Sequence, residues 1–196
     1  MITTKVYDGG CHCGKVRYKV RLDIPPSSNP DYLGRGTRIY KCNCTTCHKL
    51  GMFHARPGDP ANDFIVLSPS SPTENLGVYN AFGGSNNWYF CRNCGAQLFG
   101  VGAKWVSEEL DVGKWAGDVN GDGKTQTVWK TSALNILDPT GKPAHYVSVN
   151  SITVEGVDLI DWHDKGYIAY LNGRNRETEN MRETVRFRKP HPEGCY

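Results

Sequence analysis

Long apolar runs are missing from this sequence, and no stretch approaches the roughly 18 residues that a membrane-spanning helix needs. The first residues, MITTKVYDGGCH, also lack the basic segment followed by an apolar segment that marks a secretory signal. The net charge of +3 is small, so it gives no electrostatic reason to expect nucleic acid or a membrane surface as a partner. These absences predict a cytoplasmic protein with neither kind of partner.

Internal repeats and low-complexity tracts are absent as well. The chain has 196 residues, of which 38% are hydrophobic, and this is enough for one domain with a substantial core. Its 22 glycines and 11 prolines, together with many Thr, Val and Tyr residues, favour short strands and turns over long helices. The composition therefore predicts a mainly β protein.

Alternation of apolar and polar residues supports this fold class. Val16, Tyr18 and Val20 alternate with charged residues, as in a strand with one buried face. Similar patterns predict a strand over 38–41, a strand over 64–68, a hairpin over 87–102, and a strand, turn and second strand over 146–161.

The sequence predicts two parts of unequal length. Residues 1–170 are predicted to form the main domain, with an insertion at about 101–146. Residues 171–196 are rich in charge and are predicted to form a helix or a tail. Residues 23–37 are rich in Pro, Ser and Gly and predict a loop.

The segment GDVNGDGK resembles a calcium-binding loop in part, because Asp118, Asn120, Asp122 and Gly123 match the first half of such a loop. The twelfth position would be Trp129, where a bidentate glutamate is needed. Asn-Gly and Asp-Gly pairs are ordinary turn formers, so we predict a turn.

The eight cysteines carry the main functional signal. In a cytoplasmic protein they indicate metal ligands or reactive thiols, whereas in a secreted protein they would indicate disulfides. Cys195 lies apart and predicts a free thiol. The other seven fall into three groups, which are Cys11 and Cys13, then Cys42, Cys44 and Cys47, then Cys91 and Cys94.

The two outer groups supply four thiols, enough for a closed tetrahedral Zn(Cys)4 site. Each is followed at once by a glycine, Gly14 or Gly95, which lets the backbone turn tightly and direct N–H groups toward the sulfur atoms. Such a site would join the beginning of the sheet to its middle, and we predict a structural role for it.

The middle group of Cys42, Cys44 and Cys47 has only three ligands, as catalytic zinc sites often do. Its fourth position could be open, could be closed by His48 or His54, or could be filled by one of the outer cysteines. A middle group without metal is a further alternative. The spacing alone does not choose among these arrangements.

The motifs GGCHCGKVRY, CNCTTCHKLG and FCRNCGAQLF resemble, in this order, those of the glutathione-dependent formaldehyde-activating enzyme family, also called the centromere-protein-V domain family. VSVNSITVEGVDL at 147–159 is similar to a later segment of the same family. The resemblance spans roughly residues 6–160. The insertion, the loop at 23–37 and the arginine-bearing tail have no counterpart that we can match.

This resemblance implies a β-tent fold, in which small antiparallel sheets meet around a structural zinc ion. It places Cys11, Cys13, Cys91 and Cys94 as structural ligands and Cys42, Cys44 and Cys47 as ligands of a second, catalytic zinc, giving two zinc ions per chain. It also implies a carbon–sulfur lyase of the S-(hydroxymethyl)glutathione synthase type, which joins formaldehyde to glutathione or another thiol.

The open position suggests how such chemistry would begin, because a thiol that coordinates a metal loses its proton. The missing fourth ligand would then be the sulfur of the substrate. His12, His48 and His54 are candidates for proton transfer, and Lys49 and Arg56 for contacts with the carboxylates of glutathione. Trp88, Tyr89 and Phe90 are predicted to pack in the core.

Three alternatives compete with this function. The first is a lyase or transferase acting on a larger sulfur or carbonyl compound, which would suit an insertion that reshapes the pocket. The second is a zinc protein that binds a partner without catalysis. The third, nucleic-acid binding, draws on five arginines, but glutamates alternate with them and indicate a solvated helix instead. These arginines are Arg174, Arg176, Arg182, Arg186 and Arg188, and the glutamates are Glu177, Glu179 and Glu183.

Overall fold

The computed structural model describes residues 1–26, 36–119, 123–138, 141–174, 186–192 and 194. Within these ranges the chain is mainly β, as the sequence predicts. The strands are β1 (Thr3–Gly10), β2 (Arg17–Ile24), β3 (Arg38–Cys42), β4 (Phe53–Arg56), β5 (Phe64–Ser68), β6 (Gly77–Asn80), β7 (Asn87–Phe90), β8 (Gln97–Gly102), β9 (Lys104–Asp111), β10 (Thr125–Ser132), β11 (Tyr146–Asn150), β12 (Ile168–Leu171) and β13 (Arg186–Phe187).

The helices of the described ranges are short. The α-helices are α1 (Thr45–Lys49), α2 (Pro72–Asn75), α3 (Val112–Ala116) and α4 (Leu159–Asp164), and two 3-10 helices cover Ala81–Gly83 and Ser151–Thr153. Across these same ranges, no helix has the length and apolar character needed to span a bilayer.

The strands form two sheets. One has five strands in the order β1-β2-β5-β10-β9, and the other has eight in the order β13-β12-β3-β4-β11-β8-β7-β6. Neighbouring strands pair antiparallel, except that β12 runs parallel to β3. This arrangement confirms the predicted fold class of antiparallel sheets, and it also confirms the strands over 38–41 and 64–68 and the hairpin over 87–102.

The core lies between the two sheets, where three aromatic rings meet. Tyr18 of β2 and Phe64 of β5 belong to the five-stranded sheet, and Phe99 of β8 belongs to the other. Their ring centroids lie 5.3–5.9 Å apart in tilted or edge-on contacts. Each fully buried ring of this size stabilises the fold by about 2–3 kcal/mol through removal of apolar surface from water.

The predicted insertion at 101–146 completes the five-stranded sheet through β9 and β10. Three tryptophans anchor it to the rest of the chain. The indole N–H of Trp105 donates to the Tyr89 hydroxyl over 2.9 Å. The indoles of Trp115 and Trp129 donate to backbone carbonyls at Asn62 and Ser70. The segment therefore contributes to the core as well as to the surface.

The prediction of two strands over residues 146–161 is confirmed only in part. The first strand of 146–161 is confirmed as β11, but the second is wrong, because helix α4 lies there. Asp158 caps this helix by accepting hydrogen bonds from the backbone N–H groups of Ile160 and Asp161. Leu159 and Trp162 then fall at helical spacing on one face, and this favours a helix.

The predicted charged tail at 171–196 is described only in part. Its short strand β13 pairs with β12 at the edge of the eight-stranded sheet. The predicted helix or tail falls mainly on residues 175–185, which lie outside the described residues, as do Asn120 and Asp122 of the segment GDVNGDGK. Cys195 also lies outside them.

Candidate metal centres

The outer cysteines come together as the sequence predicts. The sulfur atoms of Cys11, Cys13, Cys91 and Cys94 lie within 4.8 Å of one another. Cys11 and Cys13 are 3.5 Å apart, and Cys13 and Cys91 are 3.7 Å apart. A tetrahedral zinc ion with bonds of about 2.3 Å would place its sulfur ligands about 3.8 Å apart, so this cluster could hold such an ion.

The described cysteines form no disulfide in this structure. A disulfide needs sulfur atoms about 2.05 Å apart. The seven described cysteines are all free thiols. The prediction that they are ligands or reactive thiols, made from the expected compartment, is therefore consistent with the structure.

Two tight turns build the outer cluster. Cys11 and Cys13 occupy the turn between β1 and β2, while Cys91 and Cys94 occupy the turn between β7 and β8. The glycine after each pair has a left-handed backbone conformation, with φ of 76° at Gly14 and 74° at Gly95. These turns aim backbone N–H groups at sulfur, as when Val16 donates to the Cys11 Sγ over 3.2 Å.

The electrostatics of the outer cluster favour a bound cation. A backbone hydrogen bond from Lys15 lowers the pKa of Cys13 to about 6, and one from Ala96 lowers the pKa of Cys94. Burial raises the pKa of Cys91 to about 11. Four thiolates this close together repel one another, so full deprotonation requires a divalent cation among them.

The middle cluster is built around the start of helix α1. Cys42 ends β3, Cys44 is the N-cap of α1, and Cys47 lies buried within that helix. Their sulfur atoms lie within 4.8 Å of one another. Hydrogen bonding from Cys44 raises the pKa of Cys42 to about 11, and hydrogen bonds from both neighbours raise the pKa of Cys47 further. This cluster could also hold a cation that compensates three thiolates.

His54 is the histidine that the fold brings to this cluster. In the described part of the chain, the atoms that lie within 4.8 Å of one another are three sulfurs and no histidine nitrogen. His54 on β4 instead places its Nε2 3.1 Å from the Cys47 sulfur and its Nδ1 2.8 Å from the Ser148 hydroxyl. Its ring stacks on Tyr40 with a centroid separation of 4.4 Å.

The imidazole of His54 is neutral in this environment. Burial, followed by the positive charge of Arg56, lowers the pKa of His54 to about 3. A neutral ring can donate one hydrogen bond through Nε2 to the Cys47 sulfur while Nδ1 accepts one from Ser148. The contact therefore orients a sulfur of the cluster.

Two buried asparagines that sequence reasoning missed support the middle cluster. Asn43 accepts a hydrogen bond from the backbone N–H of Gly173 over 2.7 Å, which ties the cluster to the end of β12. Asn150 at the end of β11 accepts from the Phe53 backbone and donates to the carbonyls of Gly51 and Gln97. The sequence signal for Asn150 is its position at the end of the alternating segment YVSVN.

Gly173 has no room for a side chain. A Cβ at this position would lie 2.8 Å from the Cys42 sulfur and 3.1 Å from the Cys44 Cβ. We therefore expect Gly173→Ala to displace Cys42 and to remove the metal from the middle cluster while the outer cluster keeps its own. Metal analysis should show a fall from two ions per chain to one.

Gly84→Ala is the matched control for this prediction. Gly84 has an ordinary φ of −69°, and its nearest neighbour to an added Cβ is a carbonyl at 3.4 Å. It also lines the cavity described below, so it adds a methyl group near the site without touching a cysteine. An unchanged metal content in Gly173→Ala would contradict the expected displacement.

A cavity of about 390 Å³ opens beside the middle cluster. Its wall includes the three cysteines, His54, Tyr40, Tyr146 and three arginines, with Phe82 at the rim. Phe82 is 88% exposed and has a left-handed backbone with φ of 56°. Among the described residues of the predicted insertion at about 101–146, Tyr146 at its end lines this cavity.

Only some of the other predicted site residues line this cavity. Among the described lining residues, His54 and Arg56 are present, whereas His12, His48 and Lys49 are not. Tyr89 packs in the core as predicted. Trp88 is also buried, but it packs against Cys47 and Met52 and forms part of the cavity wall.

Comparison with known proteins agrees with the cysteine pattern. The sequence model of the glutathione-dependent formaldehyde-activating enzyme family matches residues 6–114, a range that contains both cysteine clusters. A crystal structure of a Rhodobacter sphaeroides protein from a structural-genomics programme is similar at 20% sequence identity. The match covers 79% of this chain and 93% of that chain, with a TM-score of 0.42.

Proposed function

Because the chain belongs to the glutathione-dependent formaldehyde-activating enzyme family, we propose that it is a zinc-dependent carbon–sulfur lyase that joins a thiol such as glutathione to formaldehyde or a related carbonyl compound. The observation that carries this proposal is the cluster of Cys42, Cys44 and Cys47, whose three sulfur atoms lie within 4.8 Å of one another and open into a cavity. His54 contacts the Cys47 sulfur through its Nε2 but does not belong to this mutually close set of the described residues. The outer cluster would hold a second, structural zinc ion.

The proposed reaction is an addition that balances without an oxidant or reductant. The S–H bond of the thiol breaks and its sulfur forms a bond to the carbonyl carbon. The carbonyl oxygen takes up a proton and becomes the hydroxyl of an S-hydroxymethyl adduct. Zinc held by the three cysteines supplies, when bound, a Lewis acid that favours the thiolate form of the substrate.

The residues of the chain would contribute orientation and hydrogen bonding. His54 and Ser148 hold the Cys47 sulfur in place. The hydroxyls of Tyr40 and Tyr146 lie 3.3 Å apart in the cavity wall. Burial raises the pKa of Tyr146 to about 12 and raises that of Tyr40 as well, so both remain protonated at neutral pH. Because one hydroxyl donates to the other, the second can donate a hydrogen bond to the oxygen of a carbonyl substrate.

The test is a rate measurement with the metal-loaded protein. Mixing glutathione with carbon-13 formaldehyde and following the adduct by exchange NMR should show faster exchange with the protein than without it. Metal-free protein is the control, and it should give the uncatalysed rate. Equal exchange rates with and without the loaded protein, for glutathione and for other thiols, would overturn the proposed function.

His54 gives a prediction of its own. Removing a group that orients a metal ligand typically lowers metal affinity or activity about 10- to 100-fold. We expect His54→Ala to lower the rate of adduct formation by this amount while the outer cluster keeps its metal. His54→Gln should retain part of the rate, because its amide can still donate to the Cys47 sulfur.

The measurements are the exchange rate and the affinity of the middle cluster for zinc, determined by competition with a chelator. The pH profile adds a readout that folding alone would not move. Because the pKa of His54 is lowered to about 3, its titration should produce no step in the rate between pH 5 and pH 8. A step in that range that disappears in His54→Gln would contradict the neutral role.

A further inference from the structure

Phe82 combines two unfavourable features at the rim of the cavity beside the middle cluster. The residue is 88% exposed, and its backbone is left-handed, with φ of 56° and ψ of 30°. An apolar ring in contact with water and a left-handed residue other than glycine both raise the free energy of the folded chain. Backbone strain of this kind is concentrated at ligand-binding and active sites. These features point to Phe82 as a residue that contacts substrate.

The loop that carries Phe82 is held in place by hydrogen bonds. It connects β6 to β7, and the residues on either side of it, Asn80 and Asn87, lie opposite each other. The side-chain amide of Asn80 donates to the Gly84 carbonyl over 2.7 Å and to the Asn87 side chain over 2.9 Å. The Gly84 backbone N–H donates to the Ala81 carbonyl over 3.1 Å. The ring is thus presented by a braced turn, which reduces the ordering that binding requires.

An apolar strip connects this rim to the middle cluster. Trp88 is buried and packs against Cys47, and Ala81 packs against the same group of side chains. Trp88, Ala81 and Phe82 all line the cavity, and we define these three residues as the apolar strip. The strip therefore begins beside a sulfur of the cluster and ends at an exposed aromatic ring.

We propose that the apolar strip binds an apolar group of the carbonyl substrate, so that Phe82 selects an aldehyde with an alkyl or aryl group over formaldehyde. This inference rests on the proposed function, because it places that group on the carbon that bonds to sulfur. In the addition, the S–H bond of the thiol breaks, the S–C bond forms, and the aldehyde oxygen takes up a proton. The apolar group stays on the same carbon throughout, next to the sulfur.

The size and lining of the cavity support an aldehyde larger than formaldehyde. Its volume of about 390 Å³ lies within the range of sites that bind drug-sized ligands. Formaldehyde has a single carbon and cannot cover a strip that runs from Cys47 to the rim. In glutathione the carbons near the sulfur are flanked by two amides, so the thiol does not supply the apolar group.

The first test measures binding without chemistry. S-methylglutathione and S-butylglutathione share one peptide, and their S-alkyl groups mimic the adducts of formaldehyde and butanal. Because each buried methylene strengthens binding about fourfold, wild type should bind S-butylglutathione at least about tenfold more tightly by calorimetry. In Phe82→Asn this preference should fall to about threefold or less. Equal affinities for the two analogues in wild type, or no binding of either, would overturn the inference.

Asparagine is the informative replacement for Phe82, because it adopts a left-handed backbone more readily than most residues and removes the ring. Phe82→Asn should therefore melt at or above the wild-type temperature, so that its loss of preference cannot come from unfolding. Phe82→Leu keeps an apolar side chain and should retain most of the preference. A lower melting temperature with an unchanged preference in Phe82→Asn would assign the ring to the fold and overturn its contact with substrate.

Ile160→Gln is the control for the loss of an exposed apolar side chain. Ile160 is 73% exposed on helix α4 and is not among the described residues that line the cavity. This variant should keep the wild-type preference between the two analogues. A loss of preference as large as that of Phe82→Asn would show that the effect does not arise at the cavity, and it would overturn the proposal.

The second test identifies which substrate carries the apolar group. With glutathione, the acceleration of adduct exchange over metal-free protein should be larger for butanal than for formaldehyde, and Phe82→Asn should remove this difference. With formaldehyde as the common partner, exchange with 1-butanethiol and with 2-mercaptoethanol should respond equally to Phe82→Asn. A preference that depends on Phe82 for butanethiol and not for butanal would assign the strip to the thiol and overturn its assignment to the aldehyde.

The two proposals can fail separately. Acceleration with glutathione and formaldehyde that neither increases with butanal nor depends on Phe82 would support the lyase reaction and overturn the substrate class. Binding of S-butylglutathione that depends on Phe82, with no acceleration for any aldehyde or thiol, would support the apolar strip as a binding site and overturn the proposed lyase reaction.

Discussion

Cys91→Ser is expected to prevent stable folding of this protein. Cys91 is buried in the turn between β7 and β8, and its sulfur lies 3.7 Å from that of Cys13 after the end of β1. A structural zinc site contributes on the order of 10 kcal/mol to folding. The whole free energy of unfolding of a typical domain is about 5–15 kcal/mol. Loss of one ligand should therefore remove most of the stability.

The measurements are circular dichroism, thermal unfolding and zinc content of the purified variant. A strong chelator added to wild type should unfold the chain as the outer cluster loses its metal, and added zinc should restore the fold. Cys195→Ser is the matched control, because this cysteine lies outside the three cysteine groups of the sequence. A folded Cys91→Ser protein with the wild-type melting temperature would show that the outer cluster does not contribute through a metal.

Cys44→Ser is expected to abolish adduct formation without unfolding the chain. Cys44 is the N-cap of α1, and its side chain accepts a hydrogen bond from the backbone N–H of Cys47. Serine is among the best N-cap residues, so the substitution keeps the cap and removes the thiolate. We expect one zinc ion per chain in place of two and a loss of rate of at least about 100-fold.

Cys44→Ala provides the comparison that separates the two roles of this residue. Alanine removes the cap as well as the thiolate, which should lower the free energy of unfolding by a further 0.5–2 kcal/mol, about 1 in most cases. Its rate should fall as far as that of Cys44→Ser. Two zinc ions retained in Cys44→Ser, or a rate near that of wild type, would contradict a metal centre formed by the middle group.

Much of the fold could be predicted because its signals are local. The hairpin over 87–102 shows in the sequence as apolar runs on either side of a turn, and it is present as β7 and β8. Strand β5 was predicted at its observed bounds. The miss at α4 also had a local signal, since Asp158 is a favourable N-cap residue and Leu159 and Trp162 have helical spacing. The alternation of β11 ends at Asn150 and does not continue to α4.

The three cysteine groups could also be predicted from the sequence, because motifs such as Cys42-x-Cys44-x-x-Cys47 place their ligands only two or three residues apart. The joining of Cys11 to Cys91 depended on ligand counting and on the family resemblance. The sulfur atoms of all four outer cysteines lie within 4.8 Å of one another, and this supports the predicted grouping. The zinc ions themselves and the catalytic role of the middle cluster stay predictions.

The surroundings of the middle cluster depended on contacts between residues far apart in the chain. His48 adjoins Cys47 in sequence, yet the structure brings His54 to the Cys47 sulfur, because β4 returns beside β3. Gly173 contacts the cluster from 130 residues beyond Asn43. Arg186 reaches the cavity only through the pairing of β13 with β12. Short-range patterns fix turns and ligand groups, whereas strand pairing over long separations sets which side chains surround them.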